Sequence, residues 1–268
     1  NEASDAIASE LVADLGTGTD MGDPATLREF VTWARDRYPA NDYGLVVWGT
    51  GNGWSDGTVG RDVGFDDEFG SGLSSRELGD ALAGFAFRFL AFDASYAMNL
   101  ETVSTVLPAA PLIFGVSGPM PLAGFDYAAL RPLAQNAGTA AASVANALLD
   151  GLIAANPGFP VDGAGVQSDR VNGAIGLLTT LANAVRNDPD GPGDVSFSRA
   201  ITEVPLEDGR TERDLVAIAV VLRDDATAPA PVRTAAGELA TALGQAIPIR
   251  KSSSSLGRPG AGLSIETG

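Results

Sequence analysis

No cysteine and no histidine occur anywhere in this 268-residue chain, and Lys251 is its single lysine. Without sulfur there is no disulfide, thiolate metal site or thiol nucleophile. Without imidazole, the side chain that most often moves protons near neutral pH is missing as well. Positive charge is scarce: 17 Lys and Arg stand against 34 Asp and Glu, a formal net charge of −17. That balance excludes nucleic acid as a partner, because phosphate contact needs clustered cations, and it favours a peptide or protein carrying basic side chains. The Asp-rich, Lys-poor bias suits either a GC-rich genome or a high-salt environment. Nor is there a run approaching the roughly 20 apolar residues of a membrane span, or a signal peptide at the start.

What is present is 45% hydrophobic sequence punctuated by 33 Gly and 16 Pro. This is enough for one main domain over residues 1–268 with many loops and no clear internal boundary. Asp23 to Tyr38 carries a helix signal, with Asp23 as N-cap, Pro24 at the first helical position and an apolar face through Leu27, Phe30, Val31 and Ala34. Tyr43 to Trp48 is a short apolar run that predicts a buried strand. Ser74 and Glu77 form a capping box ahead of a second amphipathic helix. Phe87–Phe92 and Leu112–Val116 predict two further strands, with a helical pattern between them through Leu107. Strands alternating with helices on short connections indicate an α/β domain, a mostly parallel sheet flanked by helices on both faces. Further helical patterns cover Asp126–Asn136, Thr139–Ala155, Ile175–Arg186, Asp214–Arg223 and Val232–Gln245. Late strands are expected at Ile247–Arg250 and Gly262–Glu266. The Pro/Gly-rich segments 156–165 and 188–194 read as loops.

In an open parallel sheet, ligands bind beyond the carboxyl ends of the strands. Two polar segments fall there: Gly49–Trp54 after the first strand and Asp93–Ser95 after the second. Tight turns alone would also want the glycines. The run G-T-G-N-G is not a dinucleotide fingerprint, since Trp54 stands where its third glycine belongs, and no G-K pair exists for a phosphate loop. Asp62, Asp66, Asp67 and Glu68 offer oxygens that would suit calcium, but their spacing is not an EF-hand loop and a solvated acidic loop is the better account of them. Asp93, just ahead of a helical pattern, would serve as a helix cap without any ligand.

The same segments carry a resemblance. W-G-T-G-N-G-W at Trp48–Trp54 and F-D-A-S at Phe92–Ser95 resemble the W-x-H-G-x-G-W and D-A-C signatures of the clostripain-like cysteine peptidases. M-G-D-P-A-T-L-R-E-F at Met21–Phe30, Y-P-A-N-D-Y at Tyr38–Tyr43 and G-L-S-I at Gly262–Ile265 extend the likeness along nearly the whole chain. The resemblance implies a caspase-like fold whose first strand lies upstream of Asn1, in a longer precursor, as a companion segment that completes the sheet. It also implies a secreted or cell-envelope location.

Residue by residue, the resemblance puts Thr50 at the general-base position and Ser95 at the nucleophile position. It places Asp93 in the pocket that receives an arginine or lysine side chain, beside Gly51 and Trp54. Gly49 departs from the acidic residue common there. Family members are also cut between the two motifs after a basic residue, for which Arg61 and Arg76 are available. A serine needs an adjacent base and threonine is none, so the expected protein is a pseudopeptidase that binds peptide or serves as a scaffolding or regulatory domain. Two alternatives stand beside it: a hydrolase using Ser95 with another base, of which Lys251 is the one candidate lysine, and a structural domain without ligand. No G-x-S-x-G elbow and no D-T-G or D-S-G pair is present to support other hydrolase chemistry. No cofactor is expected beyond the weak calcium reading.

Overall fold

The computed structural model describes residues 11–12, 14–51, 64–133, 136, 138–187, 191–205, 212–256 and 260–267. Helix α1 (Pro24–Arg37) leads into strand β1 (Gly44–Trp48), and a hairpin of β2 (Gly64–Asp66) and β3 (Ser71–Leu73) precedes helix α2 (Ser75–Leu82). Then come β4 (Phe89–Asp93), α3 (Leu100–Val106), β5 (Leu112–Val116), a 3-10 turn at Tyr127–Leu130, α4 (Ala141–Ala155) and β6 (Asp162–Gln167). The chain closes with α5 (Ser168–Arg186), α6 (Pro192–Glu203), β7 (Glu212–Asp214), α7 (Leu215–Asp224), α8 (Ala230–Ala246), β8 (Ile249–Ser252) and β9 (Ser264–Glu266).

Local chemistry explains the helix starts. The Asp23 carboxylate accepts from the Ala25 amide ahead of Pro24, and Ser74 and Glu77 complete the reciprocal capping box expected for α2. Asn99 caps α3 through the Thr102 amide, and Asp214 caps α7 through the Ala217 amide.

Five strands form one sheet in the order β1-β4-β5-β6-β8. β1, β4 and β5 pair in parallel, whereas β6 is antiparallel to both β5 and β8, so a single reversed strand interrupts an otherwise parallel sheet. Side chains alternate across it, as a strand period of two requires. Leu90, Phe92 and Ile113 join the core beneath α2, α3, α5 and α8, while Ala91, Phe114 and Val116 join a second core beneath α4. From α4, Leu148, Leu149 and Leu152 are fully buried, each contributing roughly 1.5–3 kcal/mol. α7 packs on the outer side of α8 rather than on the sheet.

Three expectations need correction. Segment 156–165, read as a loop, supplies most of β6: Gly163 faces Leu149 and Gly165 faces Ile249 so closely that an added Cβ would lie 2.8 Å and 3.0 Å from them. The strand exists because both neighbours offer it hydrogen bonds, which a D-G-A-G-V-Q run does not advertise. Residues 188–194, also read as a loop, contain the start of α6 at Pro192. Conversely, the helix expected over Asp126–Asn136 reduces to the 3-10 turn, capped by Asp126 through the Ala128 amide. The β2–β3 hairpin, α5's first seven residues and β7 are further elements that composition left unmarked.

Candidate functional site at the strand ends

β1 and β4 run in register from Gly44 opposite Phe89 to Trp48 opposite Asp93, and their ladder continues past both strands. The Gly49 amide donates to the Asp93 carbonyl at 3.3 Å, and the Ser95 amide donates to the Thr50 carbonyl at 3.2 Å. Thr50 and Ser95 are therefore neighbours on one sheet edge, with Thr50 exposed and Ser95 half-buried. Gly51 sits beside them at φ +59°, where an added Cβ would fall 2.4 Å from the Ser95 carbonyl oxygen. Only glycine permits that approach. Trp54 and Asp62 lie outside the described residues, as does Arg61; Arg76 sits in the first turn of α2.

After Ser95 the chain turns sharply. Tyr96 has φ +56°, the one non-glycine residue with positive φ among the described residues, and its amide donates to the Gly118 carbonyl at 2.8 Å. Backbone of this kind persists only where its surroundings hold it. Here the holding comes from the end of β5 and from β9, since the Met98 amide donates to the Val116 carbonyl and the Ser264 amide to the Met98 carbonyl.

Asp93 does not cap α3, which begins seven residues later and takes its cap from Asn99. Its carboxylate instead accepts from the Phe125 amide at 3.0 Å and from the Tyr127 hydroxyl at 2.8 Å, and the residue is only 2% exposed. Burial raises the Asp93 carboxyl above its ordinary range, while the two hydrogen bonds pull the other way. The Tyr127 phenol is pushed up as well, by burial first and then by its bond to Asp93. Ser95 is engaged by the same segment, its Oγ accepting the Met120 amide at 2.9 Å. These contacts of residues 120–127 with both positions had no sequence signal; the partners lie 25 to 34 residues away and are brought in by the exit from β5.

Next along the rim, Ser117 follows β5 and donates its amide to the Asp162 carbonyl at 2.9 Å and its Oγ to Asp162 Oδ2 at 3.2 Å. Asp162 also accepts from Ser252 Oγ and from the Gly262 amide, each at 3.2 Å. Burial, together with the nearby Asp214 charge, lifts this carboxyl to about 6. Sequence reading missed both acids as a buried pair, because each stands alone in its own segment.

Lys251 is placed at the far edge. It lies on β8, three strands from β4, about 14 Å on strand spacing alone, and its Nζ pairs with Asp150 at 2.8 Å. A Ser95–Lys251 dyad therefore has no geometric basis. Asp66 is likewise committed to the fold: its carboxylate accepts the amides of Met21, Glu68 and Phe69, the first of which is the main reason its pKa is lowered. Among the described residues no group of three or more acidic side chains is arranged to hold a cation, and no helix is long and apolar enough to cross a membrane.

A sheet of this order, with its polar turns gathered where β1, β4 and β5 finish, defines an α/β protein of caspase-like fold. A model of the clostripain family matches residues 1–154, more than half of the sequence, and the chain belongs to that family. Among solved structures it is similar to an inactive zymogen C11 protease from Parabacteroides distasonis, at 17% identity and TM-score 0.69 over 96% of this chain and 73% of that one. It is similar to iotapain, a secreted C11 cysteine protease from Bacteroides thetaiotaomicron, at 12% identity and TM-score 0.68 over 92% and 72% of the two chains. A secreted C11 protease from the same organism in complex with an irreversible peptide inhibitor aligns at 20% identity and TM-score 0.67, over 91% and 71%. No curated protein matches the chain.

Proposed function

We propose that this chain is a clostripain-family pseudopeptidase, a domain that keeps the frame of a peptidase site without its proton-transfer chemistry and uses it to hold peptide. The observation that carries the reading is the pairing of Thr50 and Ser95 on adjacent strand ends in a chain with no histidine and no cysteine. A hydroxyl becomes a useful nucleophile when a neighbouring group takes its proton. Ser95 Oγ has a backbone amide as its described partner, and threonine supplies no base. Asp93, two residues before Ser95 and paired with Trp48 at the strand end, is the residue that would recognise an arginine or lysine side chain, and the net charge of −17 favours such ligands. The peptide inhibitor bound to one structural neighbour supports peptide as the ligand class, and the secreted neighbours support a place outside the cytoplasm.

The test is an amidase assay on arginyl and lysyl substrates. No turnover is expected; hydrolysis that vanishes in Ser95→Ala, or covalent labelling of Ser95 by a serine-reactive phosphonate, would overturn the reading. Restoring Thr50→His and Ser95→Cys together is expected to create measurable amidase activity, because the two positions already adjoin.

A further inference from the structure

Asp93 and Ser95 are both occupied by one stretch of their own chain. From Gly118 the backbone passes over the rim, gives its Met120 amide to Ser95 Oγ, and folds through a turn closed by the Gly124 amide on the Pro121 carbonyl at 2.8 Å. It then gives the Phe125 amide and the Tyr127 hydroxyl to the two oxygens of Asp93. The tip of this stretch and its tyrosine lie at the surface, while Phe125 between them is buried in the core. Leu122 and Ala123 at the turn's tip are exposed, Leu122 fully. Tyr127, the residue bonded to one Asp93 oxygen, is itself 44% exposed. The approach is also close: Gly124, at φ +65°, lies where any Cβ would come within 2.6 Å of Asp93 Oδ1.

The donors match those of a basic side chain. An arginine presents N–H groups to both oxygens of a carboxylate, and here a backbone amide and a phenol do so. We infer that residues 118–127 form a strap that acts as an intramolecular ligand of the strand-end site, so that a basic side chain reaches Asp93 only by displacing Tyr127. The inference rests on the peptide-binding reading above for the identity of the incoming ligand, though not for the existence of the strap. The strap is pinned at two points, Ser95 and Asp93, and anchored at the second by Phe125, which packs on Phe114 of β5 at 6.1 Å between ring centroids and joins the core beneath α4. Loosening either pin lowers the work of lifting the whole segment, whereas removing Asp93 abolishes both the pin and the recognition.

The experiment uses the full chain, its Tyr127→Phe and Ser95→Ala variants, and Asp93→Ala. Amide hydrogen exchange is followed at Met120 and Phe125, and a blocked Gly-Arg-Gly tripeptide is titrated by calorimetry. Tyr127→Phe is expected to speed exchange at both amides and to tighten tripeptide binding, each roughly tenfold. Ser95→Ala should act in the same direction from the other end, giving a second route if one variant folds poorly. Exchange at wild-type rates in both variants overturns the strap, as does acceleration confined to the amide next to the substitution. Tripeptide binding that needs Asp93 but ignores Tyr127 also overturns it, while leaving the peptide-binding reading in place. Joint acceleration of both amides with no tripeptide binding in any protein upholds the strap and removes the ligand assigned to Asp93.

Discussion

Two buried carboxylates stand on the same rim, and they are held in opposite ways. Asp162 is 3% exposed and takes its hydrogen bonds from Ser117, Ser252 and Gly262, which belong to β5's end, β8 and the approach to β9. Asp93 is as deeply buried, yet both its oxygens are satisfied by a single surface segment whose tip is exposed. The first is tied to three separate parts of the fold; the second is tied to one segment, the strap inferred above. Burial alone therefore does not separate the structural acid Asp162 from Asp93, the acid proposed for recognition: what separates them is how many independent elements hold each one.

That contrast is open to direct attack. The largest effect is expected from Gly260→Ala, whose Cβ would be placed 1.8 Å from Asp162 Oδ2. Because the Asp162 partners are fixed, the clash has no cheap relief and should destabilise the fold by about 3 kcal/mol in urea unfolding. The pH dependence comes next. Burial first, and the Asp214 charge second, raise Asp162 from 3.8 to about 6. Between those values the native protein holds a proton that the unfolded chain releases, so this contribution to stability is full below 3.8 and is lost as pH rises through about 6. Asp162→Asn should flatten that part of the stability profile, which amounts to about 2–3 kcal/mol; an unchanged slope would count against the burial argument. The smallest effect is expected for Gly124→Ala, the matching intrusion on Asp93. Left-handed backbone costs about 1–2 kcal/mol there, but the strap can lift, so the loss should stay below that of Gly260→Ala. Equal losses in the two variants would erase the distinction.

The sequence announces those parts of the fold that depend on neighbours in the chain. The apolar run Leu112–Val116 is a strand with the expected bounds, and the Ser74–Glu77 box starts α2 where its chemistry says it should. What escaped depends on distant partners. β6 contains two glycines and exists because β5 and β8 flank it. The expected helix at Asp126–Asn136 has helical residue types, yet the first of them are drawn to Asp93 and to the 3-10 turn. At the site, the strand-end positions of Thr50 and Ser95 followed from the apolar runs that precede them. Who fills the Asp93 carboxylate did not, because hydrogen-bond partners 32 and 34 residues away leave no trace in local spacing.

The reversal of β6 reaches further than its own ladder. A strand that enters where its neighbours leave brings its first residue, Asp162, to the rim at which β1, β4 and β5 deliver their last. Residues beyond 154 thereby share a border with Ser117 and, through Ser264, with the turn that follows Ser95. Ownership of this edge is joint, so a nick or drift in the carboxyl-terminal half would be felt at a place whose two strand-end signatures, Trp48–Trp54 and Phe92–Ser95, lie in the amino-terminal one.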